Sequence, residues 1–286
     1  MGFVILSGGI DLSVGSVLAL STMIAAALMH KLHWPPGLAI AMVLFLGAGF
    51  GAFMGALIHY FRLQPFIVTL GGMFLARGLC YLISIDSITI DNPMFVAVSQ
   101  TQLPLLGGFV SPGAVIALGV LILAVLLAHY TSFGRAVYAI GGNEQSALMM
   151  GLPVARTKVL VYAFSGLCAS LAGVLFSFYM LSGYGLHAQG TELDAIAAVV
   201  IGGTLLSGGY GYVAGALWRR RVRGIVTGDC LNGSQKALQV ASSLQTSESN
   251  PNRTLRHGLP PVSRRRSLRG GLVSARSSPS PSTSRD

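Results

Sequence analysis

Charge is what this sequence has least of. Charged residues make up 10% of its 286 positions and hydrophobic ones 52%, against about 25% charged in an ordinary soluble domain. That excludes a soluble globular enzyme. Cysteine is nearly absent: Cys80, Cys168 and Cys230 follow no paired spacing, so neither a disulfide framework nor a thiolate metal site is expected. His30 and His33 form a pair without a third ligand and read as interfacial. No G-x-x-x-x-G-K-[ST] is present, so the chain carries no phosphate loop of its own for ATP. The "GYG" at 183–185 and 209–211 lacks the third glycine and the strand of a dinucleotide loop. Neither a basic leader before the first apolar run nor a myristoylation pattern is found, since Leu6 stands where the latter needs Ser or Thr. Catalytic residues, metal and cofactor are all expected to be none.

What is present is apolar sequence in long runs. Segments near 12–29, 37–58, 65–83, 113–130 and 159–181, with a broken one at about 195–217, approach the roughly 20 residues that cross a bilayer. The expected fold is an all-α polytopic membrane protein with about six transmembrane segments. Arg62, Arg135, Arg156 and Lys158 fall in the connections 59–64 and 131–158, whereas 30–36, 84–112 and 182–194 hold only Lys31. By the positive-inside rule the first two connections are cytoplasmic and the segment 12–29 runs outward.

The formal charge of +10 is unevenly placed. Residues 1–217 hold six basic and six acidic residues and are neutral; residues 218–286 hold thirteen basic against three acidic. Two domains are therefore expected: a transmembrane one at 1–217, and a disordered Arg/Ser/Pro-rich tail at 218–286. The tail reads as a possible frameshift product. Its Arg clusters suit anionic lipid as a partner, and no nucleic-acid partner is expected.

Small residues are patterned. Gly47, Gly51 and Gly55 beside Ala48, Ala52 and Ala56 make a face nearly free of side chains, and Ser165, Ala169 and Gly173 repeat the spacing; both read as helix-packing surfaces. A different signal is the frame G-G-x-x-L-S-x-G, written as "GGIDLSVG" at 8–15 and as "GGTLLSGG" at 202–209, with five identities in eight positions. Glycine pairs inside apolar runs break helices, and freed backbone at membrane depth must be satisfied by protein or by a watery cavity. Matched breaks in two parts of a chain point to a transport path. The predicted path residues are Gly8, Gly9, Asp11, Ser13, Gly202, Gly203, Thr204 and Ser207. Asp11 also reads as a cap for the first turn of the outgoing helix, and Glu192 and Asp194 suit the start of an inward one. Arg77 either faces the bundle or snorkels outward.

The stretches "FVILSGGIDLSVGSV", "QPFIVTLGGMFLARGL", "FGRAVYAIGGNEQSALMMGLPVARTK" and "ELDAIAAVVIGGTLLSGG" resemble the permease subunits of bacterial ABC importers for monosaccharides, of the ribose and galactofuranose type. The resemblance covers about residues 2–217 and is collinear. It implies a multi-pass inner-membrane subunit that moves a monosaccharide by alternating access. The implied partners are a cytoplasmic ABC ATPase, a second permease subunit as homo- or heterodimer, and a periplasmic sugar-binding protein. Relative to that family the chain is expected to be truncated at both ends. The resemblance also assigns 131–158 as the ATPase-coupling loop. There Gly141–Gly142 read as a turn, Asn143 as an N-cap, a short helix runs to Met150 and Gly151 stops it before Pro153. Gly142, Asn143, Glu144, Ala147 and Gly151 are the contact residues predicted. Two alternatives stay open at this level: a non-functional truncated fragment, and an ATP-independent secondary transporter or channel. The scarcity of intramembrane carboxylates counts against ion coupling.

Overall fold

The computed structural model describes residues 1–101, 103–105 and 108–211. The expected tail at 218–286, the boundary at 217 and the end of the sixth segment lie outside the described residues. Along the chain run α1 (Gly2–Leu6), α2 (Val14–Lys31), α3 (Pro36–Tyr60), α4 (Pro65–Ile83), β1 (Ile88–Thr89), α5 (Pro93–Gln100), β2 (Leu103–Leu105), β3 (Gly108–Val110), α6 (Pro112–Tyr130), α7 (Ser132–Gly142), α8 (Glu144–Met149), α9 (Val154–Met180), β4 (Ser182–Gly183) and α10 (Thr191–Ile201). Five of these helices, α2, α3, α4, α6 and α9, are long and apolar enough to cross a membrane. They coincide with the first five predicted spans. The sixth differs: its described part is the 11-residue α10, which ends at the glycine pair beginning with Gly202.

Proline marks the starts. α3, α4 and α6 each carry it in the first helical turn, where a missing N–H costs nothing. The core is built on α2, whose Val17, Ala19, Met23, Ala25 and Ala26 are almost wholly enclosed. α3 and α9 lie closest together, and the glycine stripe explains it. A Cβ on Gly51 would strike the backbone of Tyr162, and one on Gly166 would strike the Gly47 carbonyl. The small-residue faces are thus packing surfaces, as their spacing predicts. Phe45 and Phe53 on α3, Phe74 and Leu82 on α4 and Leu118 and Ile122 on α6 stand exposed, an apolar exterior of the kind a bilayer covers.

Both ends of the bundle fit the charge-based topology. Lys31, closing α2, donates to the Ile83 carbonyl at the end of α4, 3.2 Å away, so these two ends share a side. Arg62 and Lys158 line one cavity at the opposite end. The outer connection 84–112 is more structured than its composition announces. β1 pairs antiparallel with β4, Ile88 opposite Gly183, and β2 pairs with β3. Between them Asn92 caps α5 by accepting from the Met94 N–H. Phe95 is fully buried against Phe178, with ring centroids 4.3 Å apart.

Candidate functional site: two helix breaks, a loop helix and a cavity

The two glycine frames stop helices by the same device. In the first, the Gly8 N–H donates to the Ile5 carbonyl at 2.9 Å and the Gly9 N–H to the Val4 carbonyl at 2.9 Å, with Gly8 at φ +78°. In the second, the Gly203 N–H reaches Val200 at 3.0 Å and the Thr204 N–H reaches Val199 at 3.3 Å, with Gly203 at φ +93°. Both are Schellman endings, in which a left-handed glycine lets the chain fold back onto the last helical carbonyls. The copies are offset by one residue, because the left-handed glycine is the first of its pair in one and the second in the other. Beyond that point they diverge: the first chain segment leads into α2, whereas the second turns again at Gly208 and Gly209, both at positive φ.

The frames also meet. The Gly209 N–H donates to the Leu6 carbonyl at 2.9 Å, and a Cβ on Gly208 would lie 2.7 Å from the Gly8 nitrogen. The end of α7 completes the junction. Any side chain on Gly141 would overlap the Leu6 carbonyl, and one on Gly209 would come within 2.7 Å of the Gly142 Cα. Gly141 and Gly142 therefore close a helix and do not form the turn predicted for them. Tyr138, one turn earlier, donates to the Gly211 carbonyl at 2.8 Å.

Asp11 does not cap α2; Ser13 holds the N-cap position. Oδ1 of Asp11 accepts from the Ser13 N–H at 2.9 Å and from the Ser13 hydroxyl at 2.6 Å, and Oδ2 accepts from the Ser165 hydroxyl on α9 at 2.7 Å. A buried carboxylate so satisfied anchors the first break to α9. The Thr69 hydroxyl lies 3.2 Å from the Ile10 carbonyl of the same break, with the Pro65 carbonyl of α4 the nearer acceptor for its one proton at 2.9 Å. Asp11, Ser13 and Thr204 are buried; Gly203 and Ser207 are exposed and Gly202 is half-buried. The predicted path residues thus split between buried and exposed positions, and of the eight Gly8 and Gly9 line the cavity described below.

The loop helix follows its prediction closely. Oδ1 of Asn143 accepts from the Ser146 N–H at 2.9 Å, and Glu144 pairs with Lys158 of α9 at 2.6 Å. Ala147 is fully buried with Ile140 and Val154. Gly151, at φ +76°, ends α8 through a third Schellman pair, with its own N–H on Leu148 and that of Leu152 on Ala147. Gly142 is exposed with open space beside it. Sequence reasoning did not single out the apolar tip, where Met149 is 88% exposed and Met150 67%.

A cavity of about 600 Å³ joins these parts. Gly8 and Gly9 form one wall, Gln64 in the α3–α4 connection another, and Glu144, Gln145 and Lys158 a third; Tyr162 of α9 also lines it. The Tyr162 side chain lies so close over Gly9 that a Cβ there would push the phenol aside, and its hydroxyl has no hydrogen-bond partner. Tyr162, Gln64 and Gln145 escaped the sequence reading; the available signal was a phenol in an otherwise apolar run. On the outer side Arg77 turns into the bundle and donates to the carbonyls of Gly185 and, at 2.9 Å, His187. Burial and the Arg77 charge hold the His187 imidazole below its usual pKa. Glu192 and Asp194 stand in the first turn of α10 as predicted. Among the described residues no group of His, Cys, Asp and Glu is placed to hold a metal.

Residues 1–228 match the family model for the permease component of the branched-chain amino acid transport system. The chain belongs to this permease family. It is 48% identical over 231 residues to the inner membrane ABC transporter permease protein YjfF of Escherichia coli K12, covering 79% of this chain and 69% of the relative. It is 41% identical to the fructose import permease FruG of Bifidobacterium longum, over 78% of this chain and 67% of that one. To the ribose import permease RbsC of Bacillus subtilis it is 40% identical, over 86% and 74%. No solved structure matches. The permease is a multi-pass inner-membrane protein, related within its family to sugar ABC permeases.

Proposed function

We propose that this permease is the transmembrane subunit of an ATP-driven importer that carries a monosaccharide, galactofuranose or a ribose-like sugar, inward by alternating access. The observation that carries this reading is continuity. The first helix break, the second break and the end of α7 share one glycine junction, and α7 leads directly into the capped, Met-tipped α8. A partner that moves α8 therefore moves backbone at both breaks without any side chain in between. Gly8, Gly9, Asp11, Ser13, Gly202, Gly203, Thr204 and Ser207 would border the path. Gly142, Asn143, Glu144 and Gly151 would hold α8 in a groove of a cytoplasmic ABC ATPase, whereas Ala147, predicted as a contact, is buried and holds α8 to this chain instead. ATP hydrolysis then belongs to that partner, with a second permease subunit and a periplasmic sugar-binding protein completing the assembly. Import permeases for fructose and ribose among the relatives support the cargo class.

The test is sugar uptake into membrane vesicles carrying this chain together with a candidate partner ATPase and sugar-binding protein. ATP-dependent accumulation of a labelled monosaccharide is expected, abolished by omission of the ATPase. Uptake that proceeds equally without ATP would replace this reading with a secondary transporter or channel.

A further inference from the structure

We propose that the cavity between Gly9, the α3–α4 connection and α8 is a binding site for an uncharged, hydroxyl-rich solute of monosaccharide size, with Tyr162 at its inner wall. The inference rests on the preceding reading of the cargo and adds a place where the cargo stops on the cytoplasmic side. Size is the first argument: about 600 Å³ falls inside the roughly 300–1,000 Å³ typical of small-molecule sites. Tyr162 is the second. It is 2% exposed, yet its hydroxyl has no partner, and a buried unpartnered hydroxyl calls for an explanation. The oxygen is closed off beneath Gly9, so a sugar hydroxyl supplies the missing bond when the backbone of the first break gives way at Gly9. The walls give the third argument. Lys158 is already paired with Glu144, and the amides of Gln64 and Gln145 each donate and accept, as neutral hydroxyls require. Arg62 is the remaining formal charge on the lining and stands exposed. A solute seated here touches Gln145 of α8, so occupancy and the position of the loop helix are coupled.

The experiment uses the full chain in inside-out membrane vesicles, with Cys80, Cys168 and Cys230 replaced by Ser and Leu148→Cys, on the cavity lining and exposed, as reporter. A charged maleimide labels the reporter while D-ribose, D-xylose, D-fructose or D-galactose is supplied. At least one sugar is expected to slow labelling about threefold at a concentration about twice its Kd, by mass action. The same sugar should leave a Gly142→Cys reporter, which lies in open space, unaffected. Tyr162→Phe removes a hydroxyl that bonds nothing in this structure and should abolish the protection while leaving the unprotected labelling rate unchanged. Absence of protection by every sugar, protection that survives Tyr162→Phe, or protection by inorganic phosphate alone would each overturn the site. Uptake without protection defeats the site only, and protection without ATP-dependent uptake defeats the importer reading only.

Discussion

Asp11 shows how one residue can look like a helix cap and serve another purpose. Its carboxylate accepts three hydrogen bonds, one of them from α9. Asp11→Ala would strand buried donors at about 1–3 kcal/mol for each group left unpaired. The expected result is a lowered melting temperature in detergent, with Asp11→Asn, which keeps one acceptor oxygen, falling between. His187 gives a pH dependence. Its pKa is lowered in the folded protein by burial and by Arg77, so the unfolded chain binds the proton more readily. The stability this neutral imidazole contributes is present above its ordinary pKa of about 6.5 and is lost as pH falls through the lower folded value. The protection factors of the 182–190 amides, corrected for the slower intrinsic exchange at acid pH, should fall on acidification below about pH 6.5, and His187→Gln should flatten the response.

The spanning helices were legible because length and apolarity alone define them. The starts of α3, α4 and α6, each opened by proline, fell within one residue of expectation, whereas α9 begins at Val154, five residues before the expected 159. The outer connection was not: two-residue strands and an eight-residue helix leave no periodicity, and the pairing of β1 with β4 depends on contacts far apart in sequence. Within the α3–α9 interface the glycines can be tested against one another. Gly51→Val should disrupt the pair, because any Cβ there meets Tyr162 backbone, while Gly49→Val faces open space and should be tolerated. The readout is the yield of monodisperse protein in detergent. For α8, Asn143→Ala removes the capping acceptor and should cost about 1 kcal/mol of helix stability, seen as faster amide exchange across 144–149 with the long helices unaffected.

At the scale of the molecule, the doubled frame announced that two breaks exist, and glycine identity announced how they end. That the breaks touch each other and the end of α7 had no signal in the sequence, because glycine carries no side chain whose chemistry could advertise a partner. Tyr162 was hidden for the converse reason: a lone phenol in an apolar run says nothing about whether its hydroxyl is bonded. The junction itself is open to test. Gly141→Ala places a methyl against the Leu6 carbonyl and the Gly209 nitrogen, an overpacking worth about 1–3 kcal/mol or more. Uptake should fall even though the chain still inserts, as judged by membrane fractionation. The joint between Leu6, Gly8, Gly141 and Gly208–Gly209 is made of main chain only, so it has no ionisable group, no rotamer and no hydrophobic volume of its own. Its grip should be indifferent to pH and salt. It also leaves the cavity walls free to change residue by residue without altering the joint.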